Sequence, residues 1–114
     1  MNIKSASDLL GISADTIRYY ERVGLVPPIT RTTTGIRDFK EHDIEALEFI
    51  KCFLSAGVSV ASLVDYMSLY QKGDGTIGER LGILEAEKKK IEERLSQLQA
   101  GLNLKIKHYK DRKI

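Results

Sequence analysis

Residues 5–22 read SASDLLGISADTIRYYER, which is two short helical patterns with a glycine between them. Ser5 and Asp8 have the spacing of a helix capping box, and Gly11 suits the left-handed position just after a helix. The second pattern, residues 13–22, begins with serine, a residue type that often caps helices. Two short helices joined by a glycine-containing turn predict a helix-turn-helix motif.

The second predicted helix has two different faces. Ile17 and Tyr20 fall on the side that can pack against the first helix, and the opposite side is polar and basic. A helix in the major groove offers such side chains to base edges and phosphates, and Arg18 could pair with a guanine edge. The residues of this outer face are Thr16, Arg18, Tyr19 and Arg22. An ordinary helical hairpin with a solvated basic face is the alternative at this point.

Residues 29–39 follow this helix and predict a short β-hairpin, or wing. Residues 29–34 are mostly β-branched, Gly35 can turn the chain, and the following residues return. Arg31 and Arg37 would lie on opposite strands, where they could reach phosphates or a minor groove. A surface hairpin whose arginines only aid solubility is the alternative, but this hairpin directly follows a helix-turn-helix. The combination favours DNA binding.

Three longer helical patterns complete the chain, over residues 41–56, 59–72 and 76–114. Thr76 and Glu79 have capping-box spacing at the start of the last helix. Its apolar positions step by three and four, as in a coiled coil, and are Leu81, Leu84, Ile91, Leu95, Leu98 and Leu102. A domain of about 75 residues cannot cover this stripe, so the pattern predicts a homodimer. The alternative is that the helix folds back on its own domain.

The charge of the chain is unevenly distributed. The net charge is only +2, but residues 41–75 are acidic and both flanking segments are basic, so a local basic surface would have to bind a polyanion. One cysteine allows no internal disulfide, which fits a reducing compartment. With no leader and no membrane-spanning apolar run, we expect a soluble, cytosolic protein without a membrane partner. The sequence has no glycine loop for phosphates, no nucleophile–base pair and no metal cluster, so we do not expect an enzyme.

The sequence resembles the MerR family of transcription regulators. The segments that carry the resemblance are TIRYYE at 16–21, GLVP at 24–27, residues 31–35 with Arg37 and Phe39, residues 43–44 and 56–57, and the long final helix. The resemblance implies a mainly α fold. It comprises a winged helix-turn-helix domain over residues 1–75 and an antiparallel, dimerising coiled-coil helix over residues 76–114. Within the first domain it assigns the recognition helix to 13–22, the wing to 29–39 and a helical wing to 41–72.

The same resemblance implies a regulator that binds double-stranded promoter DNA as a homodimer. Family members act on promoters whose −35 and −10 elements are too far apart, and they deform the DNA so that RNA polymerase engages both. The DNA contacts that the resemblance implies are Arg18, Tyr19, Tyr20, Arg31 and Arg37, with Thr16 and Arg22 in addition. This sequence departs from the family at one position. Relatives often carry a basic residue where this chain has Leu54, and if that residue touches a phosphate, this chain loses the contact.

The inducer is a separate question. His42 and His108 lack ligand-spaced neighbours, and one cysteine cannot hold an iron–sulfur cluster, so no metal or other cofactor is expected. Cys52 resembles the cysteine of the thiol-based NmlR and AdhR branch, which responds to aldehydes or other electrophiles. The neighbouring Lys51 would favour its thiolate and Glu48 would oppose it. The alternatives are a structural Cys52 with a small ligand or partner as inducer, and a coiled-coil adaptor that does not bind DNA.

Overall fold

The structure, a computed structural model, describes residues 1–112. Within these residues it contains five α-helices and one short 3₁₀ turn at Asp74–Thr76. The helices are α1 (Ile3–Leu10), α2 (Ala14–Arg22), α3 (Glu41–Ser55), α4 (Val60–Gln71) and α5 (Ile77–Lys110). The mainly α fold with a helix-turn-helix and a long final helix is confirmed. The division into two domains after residue 75 stays a prediction, and residues 113–114 of the predicted final helix lie outside the described residues.

The start of α1 differs from the prediction. Asn2 is the N-cap, because its side-chain oxygen accepts a hydrogen bond of 2.8 Å from the amide of Ser5. The capping box expected at Ser5 is therefore wrong, and the helix begins two residues earlier. Gly11 ends the helix with a φ of 69°, as predicted. Ser13 caps α2, and its hydroxyl accepts from the amide of Thr16 at 3.1 Å.

The wing turns where predicted but has very little β structure. One antiparallel bridge joins Arg31 and Arg37, and within residues 1–112 no segment forms a full strand. The amide of Thr32 donates to the carbonyl of Ile36 at 2.8 Å. The Thr32 hydroxyl accepts from the amide of Ile36 at 3.2 Å. The amide of Asp38 donates to the carbonyl of Thr30 at 2.7 Å, so the predicted hairpin is a tight loop whose backbone pairing is limited to the neighbourhood of this one bridge.

The hydrophobic core lies between the first four helices. Its largest fully buried side chains come from α2, the segment after it and α3, and are Ile17, Leu25, Val26, Leu47 and Ile50. Leu54 is half-buried against this core, which accounts for an apolar residue at that position. The core therefore fixes α2 on a base formed by α1 and α3.

Helix α5 leaves this core after its first half. Ser62 of α4 donates a hydrogen bond of 2.7 Å to the buried carboxylate of Glu87, and Ile91 packs against the core. Thr76 is the N-cap residue of α5, but its side chain makes no capping hydrogen bond, so the predicted capping box there is wrong. Its hydroxyl instead donates to the carbonyl of Leu69 at 2.7 Å. The molecule extends 71 Å along its longest axis because the far half of α5 projects away from the helical domain.

We expect Leu47→Ala to lower the free energy of unfolding by about 2–5 kcal/mol, because it leaves a cavity in the core. Leu47 is fully buried, whereas Leu9 of α1 is 60% exposed. The matched control Leu9→Ala should change stability by less than about 0.5 kcal/mol. Urea unfolding followed by circular dichroism measures both, and equal losses would contradict the assignment of the core.

Candidate nucleic-acid interface

The outer face of α2 carries four of the predicted DNA contacts at helical spacing. Arg18, Tyr19 and Arg22 are exposed, and Thr16 is half-buried. The guanidinium of Arg22 lies 5.5 Å from the centre of the Tyr19 ring, a cation–π contact that holds both side chains on one side of the helix. Arg18 donates a hydrogen bond of 2.9 Å to the carboxylate of Asp15. The face is therefore basic and aromatic, with one exposed acidic residue at its start.

Tyr20 is placed differently from its neighbour Tyr19. Its side chain belongs to the core and is 9% exposed, next to Ile17 on the inner face of the helix. Helical periodicity predicts this packing, whereas the family resemblance placed Tyr20 among the DNA contacts. A contact by Tyr20 stays a prediction that its burial does not support.

Glu21 is a residue of the interface that the sequence analysis missed. One carboxylate oxygen accepts a hydrogen bond of 2.6 Å from the backbone amide of Ile29. The other accepts from Arg37 Nε at 3.0 Å and from Arg31 Nη2 at 3.5 Å. The side chain of Glu21 is only 13% exposed. The carboxylate therefore joins the end of α2 to the base of the wing and to both wing arginines.

The two wing arginines keep part of their surface open. Arg31 is 43% exposed and also donates to the carbonyl of Gly35 at 3.0 Å, and Arg37 is 25% exposed. Their shared partner Glu21 lies in the last turn of α2, which ends at Arg22. The structure thus brings the predicted wing contacts to one end of the predicted recognition helix.

The base of the wing is also anchored by a second buried carboxylate. Asp43 is 4% exposed and accepts from the amide of Lys40 at 2.8 Å and of Thr30 at 3.4 Å. Nearby, Asp38 pairs with the Lys40 ammonium at 2.8 Å and with the amino group of Met1 at 2.9 Å. The hydrogen bond from Lys40, followed by that from the Met1 amine, holds the pKa of Asp38 below its ordinary value. The base of the wing is therefore tied to α3 and to the start of the chain.

The predicted sensor residue, Cys52, is an exposed free thiol on α3. The preceding residue, Lys51, has a hydrogen-bond partner of its own. Its ammonium donates a hydrogen bond to the carbonyl of Leu10 at the end of α1. This contact ties α3 to the helix-turn-helix, so the residue expected to activate the thiol also holds α1 in place.

The predicted coiled-coil residues occupy two environments. Leu84 and Ile91 are half-buried and line a cavity of about 360 Å³ between α4 and α5, together with Phe53, Leu63 and Tyr66. The others point to solvent, with exposures of 51% for Leu81, 53% for Leu95, 59% for Leu98 and 63% for Leu102. The apolar stripe is therefore covered at Leu84 and Ile91 and open at Leu81 and from Leu95 onward.

Two kinds of feature are absent from the part of the chain that the structure describes. Across residues 1–112, no three His, Cys, Asp or Glu side chains come together as a metal site. His42 instead lies 3.3 Å from the Thr30 hydroxyl, and His108 packs edge-on to Tyr109. Over the same part of the chain, no helix is both long and apolar enough to cross a membrane.

A helix-turn-helix with a basic outer face and an adjoining basic wing defines a winged helix-turn-helix protein of the DNA-binding class. Residues 1–69 match the model of the MerR HTH family regulatory protein, and the chain belongs to this MerR family.

Its relatives are transcription regulators and not enzymes. The chain is 46% identical to the HTH-type transcriptional regulator AdhR of Bacillus subtilis, over 80% of this chain and 65% of AdhR. It thus spans just under two thirds of that relative's length. A putative MerR regulator of Listeria monocytogenes is 38% identical, with a TM-score of 0.90 over 98% of this chain and 87% of that one.

A third similar protein was solved with DNA. HiNmlR, described as a MerR family regulator lacking the sensor domain and bound to promoter DNA, is 30% identical, with a TM-score of 0.84. The match covers 96% of this chain and 89% of that one. The predicted resemblance to the MerR family, and to its AdhR and NmlR branch, is confirmed.

Proposed function

We propose that this protein is a dimeric regulator that binds promoter DNA through the outer face of α2 and the wing. The bonds of Glu21 to Ile29, Arg31 and Arg37 carry this proposal, because they join two basic elements into one surface. The DNA-bound structure of the similar protein HiNmlR supports it. In the bacterial cytosol such a regulator is associated with the nucleoid, where its promoter lies.

Each side chain of the surface has a role that its exposure allows. Arg18 reads a base edge after leaving Asp15, and this exchange costs little because an exposed ion pair is worth about 0–1 kcal/mol. Phosphates are bound by Thr16, Tyr19 and Arg22 of α2 and by Arg31 and Arg37 of the wing. The two-fold dimer then contacts two half-sites of a pseudo-palindrome.

The promoter is one whose −35 and −10 elements are too far apart for RNA polymerase. Bending and untwisting the spacer costs on the order of 1–6 kcal/mol, which contacts from two DNA-binding domains offset. The tight wing, fixed to α2 and α3 by Glu21 and Asp43, can transmit a movement of the domain to the phosphates.

The dimer forms through α5. The open apolar stripe is covered by the same stripe of a second copy running antiparallel, in a two-fold interface near Leu95. This arrangement lays the far end of one helix against the cavity between α4 and α5 of the other. Charge supports it, since the far end is basic, with Lys105, Lys107, Lys110 and Arg112, whereas residues 41–72 are acidic.

The inducer is an aldehyde or a related electrophile that reacts with Cys52. The thiol sulfur forms a bond to the carbonyl carbon, the carbon–oxygen double bond becomes a single bond, and the thiol proton moves to the oxygen. The product is a hemithioacetal. No oxidant is needed. The exposed thiol gives access, and the neighbouring Lys51 bond to Leu10 connects the adduct to the helix-turn-helix.

Replacing Arg18 by alanine should weaken operator binding by about 1–3 kcal/mol and relax base preference at one position. The control Lys72→Ala removes an exposed cation at the end of α4 and should change neither. Fluorescence anisotropy with operator variants, over a range of salt, measures affinity and specificity. An unchanged preference in Arg18→Ala would rule out Arg18 as a base contact.

We expect Leu95→Asp to convert the dimer to a monomer, because it buries an unpaired charge in the α5 interface. Leu9→Asp places the same charge on a comparably exposed leucine of α1 and should leave the protein dimeric. Sedimentation or light scattering gives the mass of each variant. A dimeric Leu95→Asp protein would show that the α5 stripe is not the interface.

A small aldehyde should switch transcription from the promoter beside the protein's own gene, and Cys52→Ser should abolish the response. In vitro transcription with purified RNA polymerase measures both. Equal switching in Cys52→Ser would overturn the sensor assignment and favour a small ligand or partner as inducer, with Cys52 structural.

A further inference from the structure

The Glu21 carboxylate has an arrangement that a simple phosphate-binding surface would not need. It lies among basic residues that would bind a polyanion, and both of its oxygens accept hydrogen bonds from the wing. It cancels one of the two positive charges of Arg31 and Arg37. On electrostatics alone, removing this negative charge would strengthen binding to any DNA.

We propose that Glu21 is a positioning residue for sequence recognition, on which operator affinity depends although Glu21 itself does not touch DNA. This inference rests on the proposed DNA-binding function. Glu21 sets the distance between α2 and the wing through Ile29, and it orders the Arg31 and Arg37 side chains before DNA arrives. An arginine held in its bound geometry loses less entropy on binding a phosphate.

The hydrogen-bond geometry lets each arginine bind Glu21 and a phosphate at the same time. Arg37 gives Glu21 its Nε hydrogen, and Arg31 gives Glu21 an Nη2 hydrogen. A guanidinium carries five N–H donors, so each arginine keeps donors for a phosphate. The exposed fractions of 43% for Arg31 and 25% for Arg37 agree with this division of donors.

Two substitutions separate the contact of Glu21 with Ile29 from its contacts with the two arginines. Glu21→Gln has the same shape and keeps one oxygen to accept from the Ile29 amide, but its NH₂ group cannot accept from an arginine. Glu21→Ala loses the contacts to Ile29 and to both arginines. The matched control is Asp15→Asn, which makes the same change in net charge next to Arg18 on an exposed residue.

The experiment measures the affinity of full-length protein for its own promoter DNA and for a scrambled duplex over a range of salt concentrations. We expect Glu21→Gln to lose about tenfold in operator affinity, with scrambled-DNA affinity equal to or above that of wild type. Asp15→Asn should bind both duplexes at least as tightly as wild type. Glu21→Ala should lose more operator affinity than Glu21→Gln.

A double-mutant cycle with Arg31→Ala and Arg37→Ala gives a readout that a merely structural role would not produce. Glu21→Gln should cost almost nothing once both arginines are absent, because it acts through them. The inference is overturned if Glu21→Gln binds the operator as tightly as wild type, or if its loss persists without the arginines. A wild-type protein with no salt-dependent DNA binding would instead refute the proposed function.

Discussion

The wing holds its position on the protein through two carboxylates rather than through a β-sheet. Only one bridge joins its two sides, and such a short pairing is not stable by itself. Glu21 and Asp43 each bond to residues on both sides of the wing, and both side chains are largely buried. Because Glu21 belongs to α2 and Asp43 to α3, the wing can have its shape only when the helical core is already formed.

A second set of contacts fixes the helical domain on α5. Glu87 is bonded to Ser62, and the Arg94 guanidinium lies so close to Gly57 that a Cβ there would come within 2.5 Å of its Nη1 atom. Gly57 has a φ of 88°, so a side chain at this turn would be strained as well as crowded. The angle between the domain and α5 is thus set by contacts of residues 57–62 with residues 87–94.

Local patterns in the sequence predicted most of the helices but not the contacts that join them. The bounds of α3 and α4 agree with the predicted ranges to within one residue, and Ser13 and Gly11 act at helix ends as expected. Ser5 and Thr76 have capping spacing, but Asn2 and the 3₁₀ turn determine where those helices begin. Glu21 was missed because its partners lie eight to sixteen residues away. The DNA contacts and the role of Cys52 depend on partners outside the chain.

The open half of α5 also affects how the protein behaves at different concentrations. A helix of sixteen or so residues with no packing partner is only marginally stable in water. In a dimer built on this stripe, folding of the far half and association of two copies are one equilibrium, which shifts with protein concentration. The number of copies in a cell would then set the fraction of regulator molecules in which the far half of α5 is folded, independently of any inducer.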